Sequence, residues 1–203
     1  MKNTTAFAAM AMMASTVMYG ASADQVNDRG VTVCMQEGAD LRVVPLAKMM
    51  ATTMFREIGV KIDWRAGIHN CPSDGIVISL SDRTPATLKP GALAYARPYE
   101  GTHVVLFYDR IVESYRSVRV APLLSHVLVH EITHILEGTA RHSKSGVMKA
   151  NWTLNDYGQM ACKPLGFDRA DIDLIHEGMT TRARQAMAAG SVAQALPKAF
   201  AVE

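Results

Sequence analysis

The sequence predicts an α/β (α+β) domain: a sheet of about five strands, one long helix that carries reactive side chains, and a closing helix. Three observations lead there. Short apolar or alternating runs, bounded by Gly, Pro and Asn, recur between residues 31 and 108. The apolar spacing then changes from two to about 3.6 residues over the stretch Pro122 to Gly138. A second helical pattern begins at Phe167 and Asp168.

Val31 to Met35 is a short strand. Leu41 to Ile58 is a helix, with Leu46, Met49, Met50, Thr53 and Met54 at helical spacing and Gly59 placed to end it. Val60 to Trp64 alternates and reads as a strand with one buried face. Ala66 to Asp74 is a loop, Gly75 to Leu80 a buried strand, and Ser81 to Pro90 a loop with two prolines. Ala92 to Ala96 and His103 to Tyr108 are two further strands. Pro122 suits the first turn of the long helix, whose stripe is Leu124, Val127, Leu128, Ile132 and Ile135. Ser143 to Asn151 is turn-rich. Asp168 is the expected N-cap of the closing helix, Asp171 reaches back three residues, and Ile172, Ile175 and Met179 line one face. Beyond Gly178 the chain is Ala-rich, and both a helix and a frayed end fit it.

The first residues read as an export signal. Lys2 is followed by an uncharged run from Ala6 to Gly20, then by the small residues Ala21, Ser22 and Ala23. The run is short for a membrane span. Cleavage before Asp24 removes 23 of the 203 residues and leaves 180, enough for one domain with its own core. The domain expected is 24–203, with its core in about 31–178 and a tail over 179–203. Lys2 is the only charge removed, so the formal net charge falls from +2 to +1. That balance, with no basic stripe, argues against a nucleic-acid partner. The expected location is secreted or periplasmic, with no membrane span in the mature chain. Export permits disulfides, and Cys34 with Cys71 is the favoured pair, leaving Cys162 free or buried. No two cysteines have chelating spacing.

The chemistry is concentrated in His130-Glu131-Ile132-Thr133-His134. A helix places positions i and i+4 on one face, so both histidines can grip one metal ion while Glu131 handles a proton on its bound water. Such an ion brings water's pKa down to about 7 and polarises a carbonyl, which points to peptide hydrolysis. A catalytic zinc wants a third protein ligand. His142 lies past Gly138, where the chain can turn back. His126 and Glu137 continue the row along the helix, and three ligands on one rod cannot converge. Asp156 or Asp171 would need tertiary folding to reach. His142 is the choice made here, with His126 read as a hydrogen-bonded core histidine and Glu137 as a group near the helix end.

The stretch from His130 to Ser143, followed by Gly146-Val147-Met148, resembles the signature of metzincin zinc peptidases. The resemblance implies His130, His134 and His142 as ligands of one catalytic Zn2+, Glu131 as general base, Gly138 as the turn and Met148 as Met-turn support. The alternative for Met148 is an ordinary core methionine. The resemblance also implies a metzincin-like zincin domain with a twisted mixed sheet. Leu93 to Ala96 resembles its antiparallel edge strand, which holds extended substrate by main-chain pairing. Phe167 to Gly178 resembles its last helix. Two departures stand out. In the family, glycine follows the second histidine by three residues and the third histidine by six, where this chain has Glu137 and Ala140. Here Gly138 and His142 come at four and eight, so the helix is expected to run longer and the return loop wider. A pro-segment is not expected, since about seven residues separate Asp24 from the first strand.

Tyr95, Tyr99 and Tyr157 are candidates to reach an oxyanion but are read first as packing residues, Trp64 and Trp152 as core or pocket wall, and His69, His103 and His176 as structural. Lys149 to Asp156 and the edge strand are expected to wall the substrate pocket, with Trp152 and Leu154 making it partly apolar. The function expected is an exported zinc endopeptidase acting on peptide or protein substrates. The alternatives are a zinc-binding module with little or no catalysis, and a gluzincin-type hydrolase with a distant ligand such as Glu177.

Overall fold

In the computed structural model the described residues are 30–36, 42–97, 102–114 and 119–195. The signal segment and Tyr99 lie outside them. Ten elements follow in order: β1 Val31–Met35, α1 Val43–Glu57, β2 Ile62–Ala66, β3 Ile76–Ser81, β4 Ala94–Ala96, β5 His103–Phe107, α2 Tyr108–Glu113, α3 Val120–Glu137, α4 Leu154–Met160 and α5 Arg169–Ala195. The sheet has five strands in the order β2-β1-β3-β5-β4. All neighbours run parallel except β4, which is antiparallel to β5 and forms one edge. This mixed sheet with helices is the α+β architecture that the strand and helix patterns predict. Among the described residues no helix is long and apolar enough to cross a membrane.

The interior strand β1 is buried almost throughout, as a parallel strand covered on both faces should be, while edge strand β2 buries chiefly Ile62. A disulfide joins Cys34 on β1 to Cys71 in the loop before β3. Cys162 is free and exposed.

The structure corrects the sequence reading in three places. The buried face of α1 is Ala47, Ala51, Met54 and Phe55, whereas Leu46 and Met49 are exposed. The two alanines let α1 approach α3 closely, and the bulkier stripe turns outward. Second, α3 is not a one-sided helix. Every residue from Ala121 to Leu136 is buried, because α1, α5 and the β4–β5 end of the sheet all pack on it. Third, two short helices, α2 and α4, stand where none was expected. The closing helix continues beyond Gly178 to Ala195.

Two glycines set the frame of the site. Gly138 ends α3 in the left-handed region, with φ 66°, and so releases the return loop. Gly178 lets α5 cross the end of α3, since a Cβ there would fall 1.7 Å from the Leu136 carbonyl oxygen.

Candidate metal centre

The central position of α3 buries His130, Glu131 and His134 among apolar neighbours. Gly138 then turns the chain back, and His142 arrives against both histidines. Ring centroids lie 4.7 Å apart for His130–His134, 5.3 Å for His130–His142 and 4.9 Å for His134–His142. Each ring offers a nitrogen, and the three lie within 4.8 Å of one another.

The hydrogen bonds define which nitrogens are free. His130 Nδ1 lies 2.9 Å from the Val147 carbonyl oxygen, and His134 Nδ1 lies 3.1 Å from that of Thr139. A carbonyl only accepts, so both Nδ1 atoms carry hydrogen. Burial pushes His130 down to about 4. Burial, with His130 and His142 nearby, pushes His134 down to about 3. Both rings are therefore neutral at pH 7, and both Nε2 atoms are bare acceptors. Yet these two Nε2 atoms face each other at 3.1 Å. Two lone pairs repel at that distance, and a shared cation removes the conflict. Tetrahedral zinc with bonds of about 2.0–2.1 Å sets two ligand nitrogens roughly 3.3–3.4 Å apart. The donor set thus fits one zinc ion.

Glu131 is buried beside this cluster, and the Ala96 backbone N–H donates to its carboxylate. Burial pushes its pKa up to about 8, against the pull of that bond. A cation held by the histidines would favour the ionised form. The bond to Ala96 follows from the register of β4. Phe107 N–H donates to Leu93 and Arg97 N–H to His103, so residues 93 and 97 bond into the sheet. By antiparallel alternation Ala94 and Ala96 turn their N–H and C=O groups to the open edge. A cavity of about 510 Å³ lies between this edge and the opposite wall formed by Trp152 and Tyr157, with the three histidines and Glu131 on its floor.

The other candidates have different places. His126 is saturated: its Nδ1 donates to Pro122 O at 2.6 Å and its Nε2 accepts from Leu165 N–H at 2.9 Å. Glu137 lies outside the cluster, its buried carboxylate 3.8 Å from Arg141 Nη2, and burial pushes its pKa up to about 7. Asp156 caps α4 and pairs with Lys149. Asp171 bonds Arg141 and Ser143. Glu177 is exposed on α5. Met148 is buried behind the loop, and its carbonyl accepts from Ser143 N–H. Tyr95 packs on Phe107, His103 bonds Thr102, and His176 bonds the Ile58 carbonyl at the end of α1. His69 is exposed, and Trp64 donates to Thr52.

Leu154 does not line the cavity; it is exposed at the start of α4. The Lys89–Ala92 segment does line it, which the sequence reading missed. The available signal was its position: a Pro90-Gly91 turn feeding directly into the edge strand.

No family model matches the sequence, and no curated protein matches it. Among solved structures, the chain is similar to archaemetzincin from Methanopyrus kandleri, with 14% identity and a TM-score of 0.54 over 74% of this chain and 96% of that one. At that identity the likeness is one of fold. It is the fold that the stretch from His130 to Met148 implies.

Proposed function

We propose that this chain is an exported zinc-dependent endopeptidase, with residues 1–23 as its signal peptide and the remainder as a single peptidase-like domain. The observation that carries this reading is the pair of bare, facing Nε2 atoms on His130 and His134, with His142 as third donor and Glu131 alongside. Zinc bound there would lower the pKa of its water and polarise a scissile carbonyl. Glu131 takes the proton from the attacking water and returns it to the leaving amine. The open edge of β4, apart from the Ala96 N–H that Glu131 takes, presents main-chain groups to an extended peptide, which would lie along the cavity above the histidines. Met148 packs beneath the loop that brings His142 in. Glu177 is exposed on α5 and is not among the residues whose ligand atoms converge, so His142 is the better third ligand.

A zinc-binding module without catalysis is the second reading. It rests on the Ala96 bond, which takes up part of the accepting capacity of Glu131.

The mature wild type, Glu131→Ala and His142→Ala separate the two readings when assayed for zinc content and for cleavage of a broad peptide library. The peptidase reading expects Glu131→Ala to keep zinc and lose cleavage by about 10²–10⁴-fold. It expects His142→Ala to lose much of both. A zinc-loaded wild type that cuts no peptide would leave the binding module standing.

A further inference from the structure

His130 and His134 are each oriented twice, by the buried helix and by an Nδ1–H bond to a carbonyl. His142 has neither support. It is exposed, sits on a loop, and its ring makes no hydrogen bond to the described residues. Its ring leans on those of His130 and His134, and the loop that carries it is tied down through its neighbours in the chain. Both neighbours are gripped by one carboxylate. Arg141 donates through Nη2 to Asp171 Oδ1, and Ser143 Oγ donates to the same oxygen at 2.5 Å. Arg141 Nη1 donates in turn to Ser143 Oγ at 3.1 Å, which closes a triangle around residue 142. Asp171 is itself fully buried on the first turn of α5, and its Oδ2 accepts the Asp168 N–H at 3.1 Å. The anchor is therefore rigid.

We propose that Asp171 is a positioning residue for the third metal ligand, fixing His142 by holding Arg141 and Ser143 on either side of it. This rests on the zinc reading of the site. The return loop is longer than the pattern it resembles, and a longer loop has more conformations to lose when its ligand is fixed. A charge-assisted bond on one flank and a hydroxyl bond on the other confine it before metal arrives. The ordering cost is met in folding, and zinc affinity rises accordingly.

The test is a double-mutant cycle on zinc affinity, measured by chelator competition on the mature protein, with melting of the metal-free form recorded in parallel. Asp171→Asn keeps the size and removes the charge; Ser143→Ala removes one grip and leaves the buried anchor intact. Asp171→Asn is expected to weaken zinc about 10–100-fold, the usual cost of losing a group that orients a ligand. Ser143→Ala should weaken it in the same direction by less. In a His142→Ala background there is no third imidazole to position, so either substitution should change zinc affinity by less than about twofold. A merely structural carboxylate would lower melting in both backgrounds and would not show this dependence on His142. Equal losses with and without His142, or no loss in the wild-type background, would overturn the proposal while leaving the zinc site in place. If Asp171→Asn fails to fold, the Ser143→Ala arm decides by the same comparison. A wild type that takes up no zinc ends both the proposal and the reading beneath it.

Discussion

His130 and His134 stand on a helix buried along its whole middle, whereas His142 stands on an exposed return loop, and different forces hold the two halves of the site. The helical pair is placed by backbone geometry and by packing that leaves α3 no freedom to turn. His142 stands between two residues, Arg141 and Ser143, that are tied to a side chain from elsewhere in the fold, Asp171. A metal site can thus be half preformed by secondary structure and half assembled by tertiary contact.

The largest effect should come from removing one member of each half. His134→Ala destroys the facing Nε2 pair, and stoichiometric zinc should be lost. His142→Ala leaves that pair intact on its helix, so zinc should still bind, more weakly. Metal content after gel filtration, followed by competition with a chelator, ranks them. Equal losses would show that the helix is no better prepared than the loop.

The same division explains what could be read from the sequence. The spacing of His130 and His134 is a property of any helix, and the apolar stripe around them announces one, so both were legible. The turn at Gly138 was legible because a left-handed C-terminus favours glycine. Asp171 was visible as part of a helix N-terminus and as a distant candidate ligand, not as an anchor for the return loop. It does reach back to Asp168 N–H, but its bonds to Arg141 and Ser143 span 30 and 28 residues, and no local pattern encodes them. The parallel order of β1, β2, β3 and β5 is likewise a matter of chain crossing. Helices α2 and α4, with six and seven residues, are too short for a 3.6-residue period to register. For α4 a different signal existed, the Thr153-x-x-Asp156 capping box. The outward turn of Leu46 and Met49 shows the limit of counting apolar residues: small alanines took the contact because they allow closer approach.

Next in size is the pH dependence of the metal-free protein, which probes the buried half. The folded pKa values of His130 and His134, about 4 and about 3, lie below the 6.5 of the unfolded chain. Their contribution to stability is therefore present above pH 6.5 and is lost as pH falls towards those values. Glu131 has the opposite sign. Its folded pKa of about 8 lies above 4.5, so its contribution is present below pH 4.5 and is lost as pH rises through 8. Below pH 6.5 the two histidines oppose this loss, so the test lies above it. Metal-free wild type should lose stability between pH 6.5 and pH 8. Glu131→Gln should reduce that slope, leaving the part due to Glu137, whose pKa burial raises to about 7. Zinc should flatten it as well, because a cation favours the carboxylate. Denaturant melts at four or five pH values, with and without chelator, give both curves. A fall above pH 6.5 as steep in Glu131→Gln as in wild type would assign it wholly to another group, Glu137 first.

Gly178→Ala tests the joint between α5 and the end of α3, from which the return loop departs. The added methyl would meet the Leu136 carbonyl oxygen at 1.7 Å, and Glu137 Cα lies 3.5 Å away, so the helices must separate. Overpacking of this kind costs about 1–3 kcal/mol. In a chain of this size each kcal/mol lowers Tm by about 2–4 °C. Zinc affinity should fall with it, because Asp171 on α5 would no longer meet Arg141 and Ser143 squarely. A variant that melts lower but binds zinc as before would show that the loop tolerates movement of its anchor.

The smallest effect concerns the cavity wall opposite the edge strand. Thr153 caps α4: its hydroxyl accepts from Asp156 N–H at 3.3 Å and donates to Asp156 Oδ2 at 2.7 Å. Asp156 Oδ2 also takes the Thr153 N–H at 2.7 Å and Lys149 Nζ at 2.5 Å. One carboxylate thus ties the start of α4 to the segment after Met148, and Trp152 and Tyr157 flank this knot. Thr153→Ala removes the hydroxyl and leaves the Lys149 pair, at a cost of about 1 kcal/mol typical of an N-cap. Neither the helical histidines nor the Asp171 anchor is touched, so zinc affinity should be unchanged. The wall should loosen, and the peptidase reading then expects a higher KM with kcat little altered. If zinc affinity falls instead, the wall and the metal floor are mechanically one unit, and the division between helix-held and loop-held halves must be redrawn to include α4.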